Sequence, residues 1–319
     1  MIVRWGLGEL EGLLVELGAA RPFLVASPRW HPPVDVSGEW REVPSDRIAD
    51  AVASAAESDS VLAVGGGSAI DLAKAISADT GLPLVSVPTT YSGAEWTPTF
   101  GIRDPGRRMR GGGSGARLAG IVYDPELTLG LPRLETVGTS MNALDHAAEA
   151  LYVKGRNEDG DREALAGASL IGEWLPRVVE SPDDLEARRR LLEGAMHAGA
   201  ALAAAGLGLA HAMAQALGGR FGLPHGAMNA ITLPPVLRFN EPVASAEIAR
   251  FGAALGTDDP IGRVQELALL GGYERLRDQG VPEDELAEVA EAAAGRPGAR
   301  ANPRPATSAQ ISDLLRSVY

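Results

Sequence analysis

Gly65-Gly66-Gly67-Ser68-Ala69-Ile70-Asp71-Leu72-Ala73-Lys74 is the stretch on which the fold turns. Its three glycines follow directly on the apolar run Val61-Leu62-Ala63-Val64 and directly precede a helical pattern. A buried strand that ends in glycines lets backbone N–H groups come close to an anion, and the following helix turns the positive end of its dipole toward the same point. The order strand, glycine turn, helix has the form of a pyrophosphate cradle. The spacing is not G-x-G-x-x-G, so the turn by itself is also compatible with a tight strand-to-helix connection.

Outward from this turn, short apolar runs at Phe23-Leu24-Val25-Ala26, Leu84-Val85-Ser86-Val87 and Gly120-Ile121-Val122-Tyr123 alternate with helical stretches around 8–18, 46–57 and 69–78. Strands alternating with helices imply βαβ units and a parallel, Rossmann-like sheet. From Thr139 onward alanine and leucine recur at helical spacing, over 139–153, 161–178, 185–205, 208–218, 243–254, 260–271, 282–294 and 307–318. The chain therefore divides into an α/β dinucleotide-binding domain, 1–137, and an all-helical catalytic domain, 138–319. Breaks are expected at Gly155-Arg156-Asn157, from Gly218-Gly219 through Pro224, at Pro234-Pro235 and across Gly295-Arg296-Pro297-Gly298. The segment from Arg107 to Gly115 reads as a flexible basic loop or a β-ribbon, and there is no internal repeat.

Composition narrows the function. A chain of 319 residues has room for two cores and a cleft. Its net charge of −13 argues against a nucleic-acid surface, although a local basic patch could still hold a phosphate. No apolar run reaches the roughly 18–20 residues that span a bilayer, and no leader pattern opens the sequence, so a cytoplasmic protein without a membrane partner is expected. The absence of cysteine excludes disulfides and thiolate metal sites. Only Lys74 and Lys154 offer an ε-amine.

The helical half carries the residues with chemical potential. Asn142 and His146 are four apart on a helix that Thr139 or Ser140 could cap, so their side chains share one face. His211 lies in a later helix, and His225 follows the break that ends at Pro224. These three histidines could converge. His31, beside Pro32-Pro33, and His197, on an alanine-rich helix, read as ordinary partly buried histidines.

Five ordered segments now carry a resemblance: GGGSAIDLAKA (65–75), VPTTYSGAEWTP (87–98), YDPELTLGLP (123–132), MNALDHAAEALY (141–152) and GLAHAMAQALGGRFGLPHGAMNA (208–230). Together they resemble the iron-containing alcohol dehydrogenase superfamily. The PTTYSGAEWTP segment, the 141–152 helix and Asn302-Pro303-Arg304-Pro305 look most like its maleylacetate reductases. The resemblance implies a nucleotide-binding α/β domain, a helical domain, a cleft between them, a dehydroquinate synthase-like architecture and a homodimer. A lyase of the dehydroquinate synthase type is disfavoured by the PTTYSG and NPRP segments.

Carried over by residue, the resemblance places the cofactor's pyrophosphate on Gly65, Gly66, Gly67 and Ser68, with Asp71 nearby. Thr89, Thr90 and Ser92 would line its phosphate, ribose or nicotinamide side. The lysine that family members often carry before the YDP motif is absent, and Arg108 or Arg110 is the nearest cation. An acid after the first of the runs, Phe23–Ala26, would favour NAD; Ser27-Pro28-Arg29-Trp30 contains none, and Arg29 could accept a 2′-phosphate, so the cofactor stays NAD(P)H.

Metal-dependent members hold Fe²⁺ or Zn²⁺ with one aspartate and three histidines, and the matching positions are Asn142, His146, His211 and His225. An amide brings no charge to offset a divalent ion, which weighs against a bound metal. Asp145 sits about 100° around the helix from His146 and faces elsewhere. Without metal, His146, His211, His225 and Asn142 remain as the catalytic candidates, stabilising and protonating an oxyanion. Maleylacetate reductases usually carry more polar residues where this chain has Ala210, Ala212, Gln215 and Asn229, so Arg220 or Arg238 would have to offset a dicarboxylate. The sequence thus points to reduction of a small carbonyl or enone, with maleylacetate to 3-oxoadipate leading. An alcohol dehydrogenase acting on another small molecule and a non-catalytic nucleotide-binding relative are the alternatives.

Overall fold

A computed structural model describes residues 1–319 and divides the chain into two compact units, Met1–Thr90 with Ala94–Gly130, and Tyr91–Gly93 with Leu131–Tyr319. In the first, strands β1 (Ile2–Trp5), β2 (Pro22–Ala26), β3 (Gly38–Trp40), β4 (Ser60–Gly65), β5 (Pro83–Pro88) and β8 (Arg117–Tyr123) form one sheet in the order β1-β8-β5-β4-β2-β3. Every pairing in it is parallel. The four runs expected as strands are β2, β4, β5 and β8. The edge strands β1 and β3 escaped the reading because both are short and only half buried. Two further strands, β6 (Phe100–Arg103) and β7 (Met109–Gly113), pair antiparallel as the ribbon foreseen around Arg107–Gly115.

The sheet's two faces follow from the period-2 alternation of strands buried on both sides. Leu62 and Val64 of β4 point with Leu24 and Val85 toward α1 (Leu10–Glu16), against Leu10, Leu13 and Leu14. Val61 and Ala63 point with Phe23, Val25 and Leu84 toward α2 (Ile48–Ser54) and α3 (Gly67–Thr80), against Ala51, Ile70 and Ile76. Each buried leucine or valine contributes about 1.5–3 kcal/mol. The chain leaves β2 toward β3 on one side and leaves β4 toward β5 on the other. The strand order therefore reverses between β2 and β4, and a crevice opens at their carboxyl ends.

The second unit is helical: α4 (Arg133–Ala150), α5 (Glu158–Glu180), α6 (Leu185–Ala205), α7 (Leu209–Phe221), α8 (His225–Ala254), α9 (Pro260–Leu269), α10 (Leu286–Ala294), α11 (Pro297–Ala301) and α12 (Ser308–Ser317). α4 packs against α5, α6 and α8. It starts at Arg133, so Thr139 and Ser140 do not cap it; their hydroxyls donate within the helix to Glu135 O and Thr136 O at 2.7 and 2.8 Å. A domain boundary after residue 137 would cut this helix, and the compact units part at Gly130/Leu131 instead.

Pro234-Pro235 does not break α8, contrary to expectation. Residues Ala227 to Leu237 are all buried, and that packing outweighs the lost N–H groups; the helix loses its φ/ψ only at Ala244, just after Pro242. The Asn302-Pro303-Arg304-Pro305 segment is a clasp. Asn302 and Asn240 exchange side-chain hydrogen bonds at 2.7 and 2.9 Å, and Arg304 donates to Phe239 O at 2.7 Å. No single helix is long and apolar enough to cross a membrane.

Candidate active site

In the first unit, β4 delivers Gly65 to the carboxyl edge of the sheet and α3 begins two residues later. The N-cap of α3 is Gly66, so no side chain caps the helix and its first N–H groups are left for an anion. A Cβ on Gly66 would come within 2.8 Å of Thr90 Cγ2, and Gly65 stands at φ +155°. A glycine cradle that side chains would fill fits a dinucleotide's pyrophosphate. Ser68 is exposed on the first turn. Thr89 donates its backbone N–H to Gly65 O at 3.0 Å, and its buried Oγ1 has no partner.

Asp71 has a different task. Its Oδ2 accepts from the Gly101 N–H at 3.2 Å and its Oδ1 faces Lys74 Nζ at 3.4 Å, while Lys74, 1% exposed, donates to Thr99 O at 2.9 Å. Asp71 and Lys74 thus tie α3 to the segment leading into β6. Arg108 lies exposed in the β6–β7 turn, its backbone N–H held by Asp104 Oδ1 at 3.0 Å, and Arg110 pairs with Asp104. Ser92 belongs to the second unit, where its carbonyl accepts from Asn142 Nδ2 at 2.8 Å.

The second unit brings Asn142, His146, His211 and His225 together. The rings of His146 and His211 stack with centroids 4.5 Å apart, and those of His211 and His225 lie 5.7 Å apart at 54°. His225 reaches the cluster because α8 crosses α4 at Gly226, where a Cβ would overlap the Gly138 carbonyl. His211 Nδ1 lies 2.8 Å from Glu149 Oε2 and 3.1 Å from Asp145 Oδ2. Its Nε2 lies 3.3 Å from Asn142 Oδ1; the amide's orientation is set by the bond from Nδ2 to Ser92 O.

Glu149 also caps α7. The N-cap of that helix is Gly208, without a side chain, and the Glu149 carboxylate accepts from the N–H groups of Gly208, Ala210 and His211 at 2.6, 2.8 and 3.4 Å. One carboxylate from α4 therefore replaces the missing cap, sits at the positive end of the α7 dipole and grips the catalytic candidate of that helix. Asp145 accepts from Asn229 Nδ2 at 2.6 Å, while its Oδ1 is buried without a partner.

Burial opposes charge on His211, but the carboxylates of Asp145 and Glu149 overcome it and hold the imidazole's pKa up, at about 10. Burial, with the Glu149 charge adding to it, pushes Asp145 up to about 6, and the imidazolium partly offsets this. The raised value favours the protonated imidazole of His211 beside these two acids, while burial works against full ionisation of Asp145.

That state tests the metal set named from the sequence. His211 contacts carboxylates through Nδ1 and an amide oxygen through Nε2, so Fe²⁺ or Zn²⁺ at Nε2 would have to displace the proton held there. Asp145, Glu149 and His211 place ligand atoms within 4.8 Å of one another, as a metal group would. Yet the carboxylates there accept N–H groups from Gly208, Ala210, Asn229 and His211 itself. The carboxylates are thus already engaged as acceptors, and a divalent ion would compete with those N–H groups for them.

Sequence reading set Asp145 aside, assigned no site role to Glu149 and missed Arg296. Asp145 does face away from His146, but its direction leads to the other nitrogen of His211. The spacing Asn142, Asp145, His146, Glu149 was the available signal, since i, i+3, i+4 and i+7 line one broad helix face. Arg220 pairs with Glu285 and Glu288, and Arg238 donates to Gln265, so neither named cation is turned to the cluster. Arg296 instead donates to Gln215 Oε1 at 3.2 Å, one turn beyond His211 on α7.

Residues 7–125 match the iron-containing alcohol dehydrogenase family, and residues 136–319 match the Fe-containing alcohol dehydrogenase family, C-terminal. The chain belongs to the iron-containing alcohol dehydrogenase family. Within it the similarity runs to maleylacetate reductases: that of Burkholderia cepacia is 38% identical over 268 residues, 84% of this chain and 76% of that protein. Among solved structures, maleylacetate reductase from Rhizobium sp. strain MTP-10005 superposes with a TM-score of 0.87 at 30% identity, covering 100% of this chain and 95% of that one. An iron-containing alcohol dehydrogenase from Corynebacterium glutamicum gives 0.91 at 32% identity, with coverage of 100% and 94%.

Proposed function

We propose that this chain is an NAD(P)H-dependent reductase that converts maleylacetate to 3-oxoadipate without a bound metal. The observation that carries the reading is His211, buried beside Asn142 and bonded between Asp145 and Glu149, two acids that favour its cationic form. Reduction of an enone adds a hydride at the carbon β to the ketone, moves an electron pair onto the carbonyl oxygen and then needs a proton. The bound dihydronicotinamide supplies the hydride, its pyrophosphate held by Gly65–Ser68. His211 supplies a fixed positive charge for the oxyanion. Its 3.3 Å contact to Asn142 Oδ1 is long for a hydrogen bond, so an oxyanion placed closer along the Nε2–H direction would be the better acceptor. His225, half-buried at the start of α8, carries the proton between this cluster and solvent, and His146, stacked on His211, fixes its ring plane. Arg296, through its place beside Gln215, is the cation for one substrate carboxylate.

The test is cofactor oxidation by the purified protein with maleylacetate, with and without chelator, alongside metal analysis. Turnover unaffected by chelator is expected. No turnover with either NADH or NADPH refutes the substrate, and a stoichiometric divalent ion whose removal abolishes activity refutes the metal-free chemistry.

A further inference from the structure

We propose that the protein selects NADPH over NADH and that Arg29 reads the cofactor's 2′-phosphate; this rests on the dinucleotide-dependent reading above. β2 and β4 are adjacent and parallel with Ala26 opposite Val64, so the residues after each strand, Ser27–Trp30 and Gly65–Gly67, lie side by side at the carboxyl edge. These two strands are also where the strand order reverses. A dinucleotide whose pyrophosphate sits on the glycine turn therefore lays its adenosine ribose along the β2 side.

Ser27–Trp30 is a tight turn closed by the Trp30 N–H donating to Ser27 O at 3.1 Å, with Pro28 leading into Arg29. Arg41, following β3, pins the turn from below by donating to Trp30 O at 2.6 Å. The turn offers no carboxylate to a ribose 2′-OH. Glu39 on β3 accepts from Arg41 at 2.6 Å, which holds its carboxyl below the usual range and takes up its charge. Arg29 is exposed, has no carboxylate partner, and its guanidinium rests over the Trp30 ring, 4.8 Å from the centroid. The indole orients the cation while its N–H groups stay open, which suits a phosphate monoester and gives a bare 2′-OH nothing to donate to.

Fluorescence titration of the apo protein with NADPH and with NADH reads this without turnover. Wild type is expected to bind NADPH at least about tenfold more tightly than NADH. Arg29→Ala is expected to weaken NADPH by about that factor and to leave NADH within about twofold; Arg29 is exposed, so the variant keeps its fold. Arg29→Asp should invert the order. Equal affinities in wild type, or equal losses for both nucleotides in Arg29→Ala, overturn the inference alone. Failure of both nucleotides to bind wild type overturns it together with the reductase reading, and binding of NADH alone overturns the inference alone.

Discussion

The glycine turn of the first unit and the histidine cluster of the second are built from different materials. The turn is backbone: Gly65, Gly66 and Gly67 act by having no side chains, and the chain that makes them useful lies within a few residues on either side. The cluster is side chain throughout. His211 depends on Asp145, Glu149 and Asn142, which are 62 to 69 residues away in sequence for the hydrogen-bonded pair Glu149 and Asn142. A site made of backbone tolerates loss of a hydroxyl and fails when volume is added. A site made of a charge network fails when one member is removed.

The largest effect is therefore expected at His211. His211→Ala should lower turnover by about 10³-fold or more, because it deletes the charge offered to the oxyanion and leaves two buried carboxylates facing each other. NAD(P)H affinity, measured by fluorescence titration, should stay within about threefold. Parallel losses in turnover and affinity would mean that the cluster does not act on the transition state.

Glu149→Ala removes the cap of α7 and one counter-charge of His211 together. A loss of about 3–5 kcal/mol in denaturant unfolding is expected, the range for breaking a buried ion pair. The same pair sets a pH dependence. A group whose folded pKa is raised adds stability that is full below its unfolded value, ordinarily near 6.5, and that fades as pH rises through the folded value, about 10 for His211. Between those limits wild type should lose its advantage over His211→Gln progressively. A difference in Tm that stays flat from pH 6 to pH 10 would contradict the cationic assignment.

This contrast also explains what was legible in the sequence. Central strands buried on both faces announce themselves as apolar runs, and the glycine turn needed only its neighbours to be read. Asn142, His146, His211 and His225 were visible as residue types on helices, yet their coupling was not. Asp145 was set aside on helix geometry that is correct for its angle to His146, because the partner it reaches comes from another helix. Glu149 was hidden for the same reason: the N–H groups it satisfies belong to a helix whose missing cap shows only once Gly208 is placed beside it. Pro234-Pro235 misled because local propensity was weighed without the burial around it.

Added volume tests the backbone site. Gly66→Ala keeps an allowed φ of −84°, so its effect comes from the Cβ, which would lie 2.8 Å from Thr90 Cγ2. The Thr90 side chain or the turn must shift, and the N–H groups at the start of α3 shift with it. Dinucleotide affinity should fall about tenfold or more, with an unfolding cost of about 1–3 kcal/mol. The ion pair at His211 should be unchanged, which the pH dependence of Tm would show by retaining the wild-type profile.

Ser68→Ala is the smallest and the sharpest of these changes. Ser68 is the second residue of α3 and is exposed, so its hydroxyl can reach a phosphate oxygen, but its backbone N–H already points there as part of the uncapped helix end. Removing the hydroxyl leaves that N–H, the Gly67 N–H and the dipole in place. Serine and alanine differ little in helix propensity, so the helix itself is retained. Affinity for NAD(P)H should fall by only about two- to threefold, the worth of one exposed hydrogen bond that water can replace. A loss of about thirtyfold, as large as that of Gly66→Ala or larger, would show that the cradle relies on a side chain after all, and the distinction between a backbone-built and a side-chain-built site would fall with it.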